Sequence, residues 1–239
     1  MDPMRYAISG ASRGIGLEFV RQLLARGDTV EAGARVPSEA RQLASLAREA
    51  GARLRIHSLD ITDTDSVKAF ASRVGEAPVD VLINNAGIGG KWHPLVDMDF
   101  EDMSQVMETN AVGPIRLSSA LIPFVLKGNT RKIVHLTTHM ASLADNTPAG
   151  VYGIAGGAYA YRMSKAALNA GMRTMAVDFR EQGLITAVLS PGWVQTDMGG
   201  KMAPTRVEDS VQGMLRVIDE LTLVNSGRFF DYQGKELPW

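Results

Sequence analysis

Tyr161 and Lys165 stand four positions apart in the segment AYAYRMSKAAL, residues 158–168. In a helix that spacing puts both side chains on one face, one turn apart. A free phenol, with a pKa near ~10, is a poor proton donor or acceptor at neutral pH. An ammonium beside it favours the phenolate and lowers that pKa. The pair can then pass a proton to or from an oxygen on which negative charge develops. Two other tyrosines fail the same test, because four positions after Tyr159 comes Met163 and four after Tyr152 comes Gly156.

A second constellation is SGASRGIG, residues 9–16. It follows an apolar run and opens a helix-like one. Gly10, Gly14 and Gly16 permit a tight turn and close backbone approach, with Ser12, Arg13 and Ile15 between them. The helix N-terminus then offers backbone N–H groups to an anion such as a pyrophosphate. The spacing is G-x-x-x-G-x-G, not the G-x-G-x-x-G of the common dinucleotide fingerprint. Gly10–Gly14 also fits the G-x-S-x-G nucleophile turn. That chemistry needs an acid and then a histidine downstream; the last histidine is His139, and only the run at 5–9 precedes Ser12, without the further strands that would build a sheet around it. The second apolar run ends EAGAR, residues 31–35. An acid at this tip would read a free ribose 2′-hydroxyl, and an arginine a 2′-phosphate. Ala34 is not acidic, Arg35 is basic, and Arg13 could reach the same phosphate. Two guanidiniums on one dianion favour NADP(H) over NAD(H); the alternative is two solvated surface arginines.

The elements that must position these groups alternate in type. Short β-branched runs cover 5–9, 29–34, 54–59, 79–84, 132–137, 185–190 and 228–231. Helix-like segments cover 14–26, 38–50, 64–74, 100–126, 159–182 and 205–222, with Asp63 capping the third. Continuously apolar runs such as DVLIN suit strands buried on both faces, and the alternation predicts a parallel sheet between helices. No linker or repeat divides the 239 residues, so residues 1–239 read as one α/β domain. Two irregular stretches, about 139–158 and 192–205, follow strand ends, where open α/β sheets bind ligands.

Composition sets the outer bounds. A formal net charge of −1 gives no reason to expect nucleic acid or an anionic membrane as a partner. The absence of cysteine excludes disulfides and thiolate metal sites and suits a reducing cytoplasm. MDPMRYAISG carries no long apolar run and reads as no signal peptide, and no stretch is long enough to span a bilayer. His135 and His139 lie four apart without a glutamate in H-E-x-x-H register, so no metal is expected.

Further strings join these in order: LDIT (59–62), NNAG (84–87), Asn110 in METNAVG, and SPGWVQTDM (190–198). With the glycine turn and Tyr161-x-x-x-Lys165 they resemble the short-chain dehydrogenase/reductase family over nearly the whole chain. YAYRMSKAALN, PGWVQTDMGG and GRFFDYQGKELPW look most like its C-factor and sniffer-type carbonyl reductase branch. The resemblance implies a single-domain Rossmann fold, a seven-stranded parallel sheet in order 3-2-1-4-5-6-7 with helices on both faces. It implies NADP(H) across the C-terminal edge. Asp60 and Ile61 would flank the adenine, Asn84 and Asn85 would brace the sheet centre, and Ala86 and Gly87 would lie beside the cofactor ribose. Pro191, Gly192, Val194 and Thr196 would wrap the nicotinamide. Tyr161 would be the acid/base, Lys165 its tuner and a ribose clamp, and Asn110 the anchor of a proton-relay water.

The family's carbonyl-polarising serine has no direct counterpart. In IVHLTTHMAS, Thr138 falls at its place, with the same hydroxyl and a stiffer χ1; Ser142 is the alternative donor. The stretch between Thr138 and Tyr161 is long and glycine-rich, which reads as an enlarged loop over the substrate or an interface element. Trp92 and His93 could form a further wall. The implied activity is hydride transfer between nicotinamide and a small-molecule carbonyl or secondary alcohol. A C-factor-like signalling protein that binds dinucleotide with little turnover is the alternative. The segments 100–126 and 159–182 carry broad apolar faces; the resemblance implies that these form an interface, hence a homodimer or homotetramer, the alternative being that the sheet absorbs both faces.

Overall fold

Strands that are apolar on both faces need helices on both sides, and the chain supplies them in alternation. The computed structural model describes residues 3–239; Met1 and Asp2, at the head of the segment read above as lacking a leader, lie outside them. Among the described residues, the strands are β1 (Arg5–Ile8), β2 (Thr29–Ala34), β3 (Leu54–Ser58), β4 (Val81–Asn84), β5 (Lys132–Leu136), β6 (Ile185–Ser190) and β7 (Arg228–Asp231). All pair in parallel in the order β3-β2-β1-β4-β5-β6-β7, as expected. The direction of winding reverses between β1 and β4, so the carboxyl ends of those two strands part to form a crevice.

The helices are α1 (Gly14–Ala25), α2 (Arg41–Ala50), α3 (Thr64–Val74), α4 (Phe100–Met107), α5 (Gly113–Val125), α6 (Tyr159–Asp178) and α7 (Val207–Glu220). Successive strand residues part to opposite faces. Ile8 and Ile83 join Phe19, Leu23, Leu43 and Met214 under α1, α2 and α7. Their neighbours Ala7 and Leu82 join Phe70, Leu117, Leu121 and Met175 under α3, α5 and α6. The Asp63 carboxylate accepts from the N–H groups of Asp65 (2.8 Å) and Ser66 (3.3 Å), which is the cap its position in the sequence predicts.

The single helix expected over 100–126 is divided. Between α4 and α5 the chain makes a π-helical turn over Glu108–Val112. Pro114 has no N–H to give to the Asn110 carbonyl, so one α-type bond is missing there, and the ladder widens at that point. The helix expected over 159–182 ends at Asp178, and a 3₁₀ turn covers Arg180–Gln182. No helix among the described residues is long and apolar enough to cross a membrane.

Candidate active site

The glycine turn joins β1 to α1 with Gly10 at φ +66° and Gly14 at φ +54°, conformations that L side chains rarely adopt. Gly16 is there for space: a Cβ on it would lie 2.3 Å from the Gly10 carbonyl oxygen and 2.5 Å from the Asn85 amide. Asn85 braces this turn from the end of β4, donating through Nδ2 to the carbonyls of Ser9 (2.9 Å) and Gly10 (3.0 Å). The Ser9 hydroxyl accepts in return from the N–H groups of Asn85 and Ala86, both at 3.1 Å. Asn84 turns the other way, its Nδ2 donating to the Ser118 hydroxyl of α5 at 2.9 Å.

Around this turn stand the other residues expected at the crevice. Thr196 is close enough to Gly14 that a Cβ there would touch its methyl at 3.6 Å. The Thr196 hydroxyl accepts from Gly199 N–H at 3.1 Å, and Val194 is buried in a bridge to Thr205. Gly192 has φ +82°, and the Pro191 carbonyl accepts from Ser210 at 2.7 Å. Asp60 holds Thr62 through its Oδ1 at 2.7 and 2.9 Å. Those bonds, with Arg35 and Arg116 nearby, keep its carboxyl below the usual range. The Ile61 side chain is buried against Gly113. The two arginines are engaged separately: exposed Arg13 pairs with Asp197 of the 192–205 loop, whereas Arg35 stands beside Asp60. Ser12 directly precedes Arg13 in the glycine turn.

At the other end of the crevice, the π-helical turn brings Asn110 to complete burial. Its side-chain amide pairs reciprocally with Ile88: Nδ2 donates to the Ile88 carbonyl and Oδ1 accepts its N–H, both at 2.8 Å. Nδ2 also reaches the Ser164 hydroxyl at 3.1 Å. Lys165, buried in α6, donates from Nζ to the Leu136 carbonyl at 2.8 Å. Gly87 lies between the two, since a Cβ on it would meet Asn110 Oδ1 at 3.1 Å and Lys165 Nζ at 3.4 Å.

Tyr161 is half-buried against Met140, Val151 and Ala158, and its phenol lies beside the Thr138 hydroxyl. Thr138 also accepts from Met140 N–H at 3.2 Å. Ser142 is turned away from Tyr161: its hydroxyl donates to the Trp239 carbonyl (3.4 Å) and accepts from Asp145 N–H (3.1 Å). Between the two hydroxyls weighed in the sequence, the structure gives Tyr161 to Thr138. Tyr159 opens the same helix with its ring 38% exposed, so it cannot share the buried position.

One expectation is reversed. The phenol is not lowered: burial pushes Tyr161 up to about 12, against which the Thr138 hydroxyl acts only in part. Burial likewise pushes Lys165 down to about 8. The reason is the direction of the ammonium, which points to the Leu136 carbonyl and lies near enough to His135 to depress it. His135 is fully buried in β5 and is pushed down to about 3, chiefly by burial, so its ring is neutral. His139 lies elsewhere, its Nε2 2.6 Å from the Asp145 carboxylate.

Two residues unassigned by sequence organise the enlarged loop. Arg162 is buried and donates to the carbonyls of Met140 (3.0 Å), Ile154 (3.0 Å) and Gly156 (3.2 Å), strapping residues 139–158 to α6. The Ser190 hydroxyl, at the end of β6, accepts from His139 N–H at 3.0 Å and lies beside the Tyr152 phenol. An arginine directly beside Tyr161 was the only sequence sign of the strap.

Residues 6–207 match the profile of a family described as short chain dehydrogenase. The chain belongs to the short-chain dehydrogenase family. Two solved structures superpose on this dehydrogenase along its length. One is an NADPH-bound carbonyl reductase from chicken fatty liver, with TM-score 0.92, 35% identity and 100% of both chains covered. The other is the carbonyl reductase Sniffer of D. melanogaster, with TM-score 0.92, 30% identity, and 99% of this chain and 100% of that one covered. The C-signal protein of Myxococcus xanthus is 54% identical over 173 residues, which are 72% of this dehydrogenase and 100% of its relative.

Proposed function

We propose that this short-chain dehydrogenase is an NADP(H)-dependent oxidoreductase moving hydride between the nicotinamide and a small-molecule carbonyl or secondary alcohol. The observation that carries the proposal is the buried cluster of Gly87, Asn110 and Lys165, with the Tyr161 phenol on the same helix as Lys165 and beside the Thr138 hydroxyl. The donor set suits a dinucleotide. The N–H groups of the first turn of α1, residues 14–16, have no intrahelical partner and suit a diphosphate. Gly10, Ser12, Arg13 and Arg35 sit where a ribose phosphate would fall, and the basic pair favours NADP(H). Asp60 and Ile61 would border the adenine; Asn85, Ala86 and Gly87 the ribose side; Pro191, Gly192, Val194 and Thr196 the nicotinamide. The NADPH in the chicken liver carbonyl reductase supports the same choice.

The bound nicotinamide would supply the hydride. Tyr161, protonated because burial holds its pKa high, would give its proton to the carbonyl oxygen. Thr138 would donate to the same oxygen and align it. Lys165, charged below about 8, would stand behind as the ribose clamp and as the source from which Tyr161 is refilled. Asn110, fixed on Ile88, would hold the relay toward solvent.

A second reading, a signalling protein that binds dinucleotide and turns over little, is favoured by the C-signal relative. The substitution Tyr161→Phe separates them. Reduction of a panel of aldehydes and ketones should fall by at least about a hundredfold, with NADPH binding, read by its fluorescence, unchanged. Undiminished turnover in that variant would remove Tyr161 from the chemistry. No turnover by the wild type with any compound, alongside firm NADPH binding, would favour the signalling reading.

The proposal includes a homodimer or homotetramer. Tyr159, Met163 and Val177 lie exposed on one stripe of α6, which supports an interface there. The cysteine-free composition supports a reducing, cytoplasmic setting.

A further inference from the structure

Tyr152 is an uncomfortable residue in its place. Its φ of +55° lies in the left-handed region, which disfavours a bulky side chain; the other left-handed positions of the same loop are taken by glycines at 150, 153, 156 and 157 and by the small Ala158. Its ring is held there. The phenol lies beside the Ser190 hydroxyl, the ring packs edge to face on His139, and the Arg162 strap fixes the carbonyls of Met140 and Ile154.

Three rings come together as a result. His139 and Tyr152 meet edge to face with centroids 6.0 Å apart, and Tyr152 and Trp193 lie 6.4 Å apart at 44°. Each ring has a polar neighbour: His139 has Asp145, Tyr152 has Ser190, and Trp193 Nε1 donates to the Gly199 carbonyl at 2.7 Å. Tyr152 and Trp193 nonetheless remain 41% and 37% exposed, so much of each ring stays open. The row adjoins the chemistry. His139 follows Thr138 in the chain, and Val151, next to Tyr152, packs with Tyr161 around Met140. A crevice of about 400 Å³ opens on the His139 and Tyr152 end of the row, where Asp145, Thr147 and Lys235 also line it; Trp193 bounds the row at its other end, outside this crevice. Fixed, partly open aromatic faces favour a flat π-system over a puckered aliphatic ring of equal size.

We propose that Tyr152 is a specificity-determining residue, completing an aromatic wall with His139 and Trp193 that selects aryl-substituted carbonyl compounds. The inference rests on the oxidoreductase reading above, and a matched pair of ketones separates the two. Acetophenone and cyclohexyl methyl ketone have nearly the same volume, and only the first is flat. Their dissociation constants are measured by NMR titration of the NADP⁺-saturated protein, and their reduction is followed separately with NADPH. In the wild type, acetophenone should bind at least about threefold tighter, the scale of one aromatic pair. Tyr152→Leu should bring the ratio to about one, and Tyr152→Phe should keep it. Trp193→Leu tests the wall from its far end, should the Tyr152→Leu loop fail to fold, and should also lower the ratio. A wild-type ratio near one, or a preference that survives both leucine variants, overturns the inference. Binding with the aryl preference but no reduction of either ketone supports the wall and sinks the oxidoreductase reading. Reduction of both ketones without preference does the reverse.

Discussion

Burial leaves Tyr161 holding its proton up to about 12, while Lys165 loses its own near 8. The pH response of the proposed reduction therefore belongs to the lysine. Its pKa is depressed, so the charged form is present below about 8 and disappears as the pH rises through that value. We expect kcat/KM for carbonyl reduction to be level at neutral pH and to fall above about 8, while Lys165→Arg, slower but permanently charged, shows no such fall. A wild-type profile that stays level well into alkaline solution would contradict this. Spacing put Tyr161 and Lys165 on one helix, and both stand on α6; it was the further motifs of the resemblance that gave the pair a role. The direction of the phenol shift was not legible, because it depends on Met140, Val151 and Ala158 closing over the ring from a loop whose path no local pattern encodes. Thr138 came before Ser142 in sequence only through its place in the resemblance; what turns Ser142 away is the Trp239 carbonyl, which is distant in the chain.

Among the elements, the strand–turn–helix that begins with β1 leaves little room for change. A methyl group at Gly16 has nowhere to go between the Gly10 carbonyl and the Asn85 amide. Gly16→Ala should destabilise the fold by about 1–3 kcal/mol in urea titrations and weaken NADPH binding at least tenfold, roughly the loss of one well-formed contact. Normal stability and normal binding together would mean that the turn is looser than described. The strands were readable because their apolar runs are continuous, and each lies within two residues of expectation. The π-helical turn was not, although its cause, Pro114, was in plain view. A proline near a helix start normally signals entry into a new helix, not a widening of the one before it. Asn110 owes its buried position to that widening.

At the scale of the molecule, two sides of the sheet are fully covered and the outer face of α6 is not. Tyr159, Met163 and Val177 would be an unusual expense of apolar surface on a monomer. Sedimentation velocity should find a dimer or tetramer, and Met163→Asp, which sets a charge in the middle of the stripe, should shift it toward monomer. A monomeric wild type would refute the assembly proposed here. The strand order has a different consequence, one in time. A ribosome releases the glycine turn early, yet the groups that fix it, Asn85 and the N–H of Ala86, emerge only with the end of β4. Until then Ser9 and Gly10 are without their braces, and β1 has no neighbour on its inner edge. A nascent chain stalled before β4 would therefore be unable to hold a nucleotide, however abundant that nucleotide is around it, and any chaperoning by the cofactor must wait for the second half of the sheet.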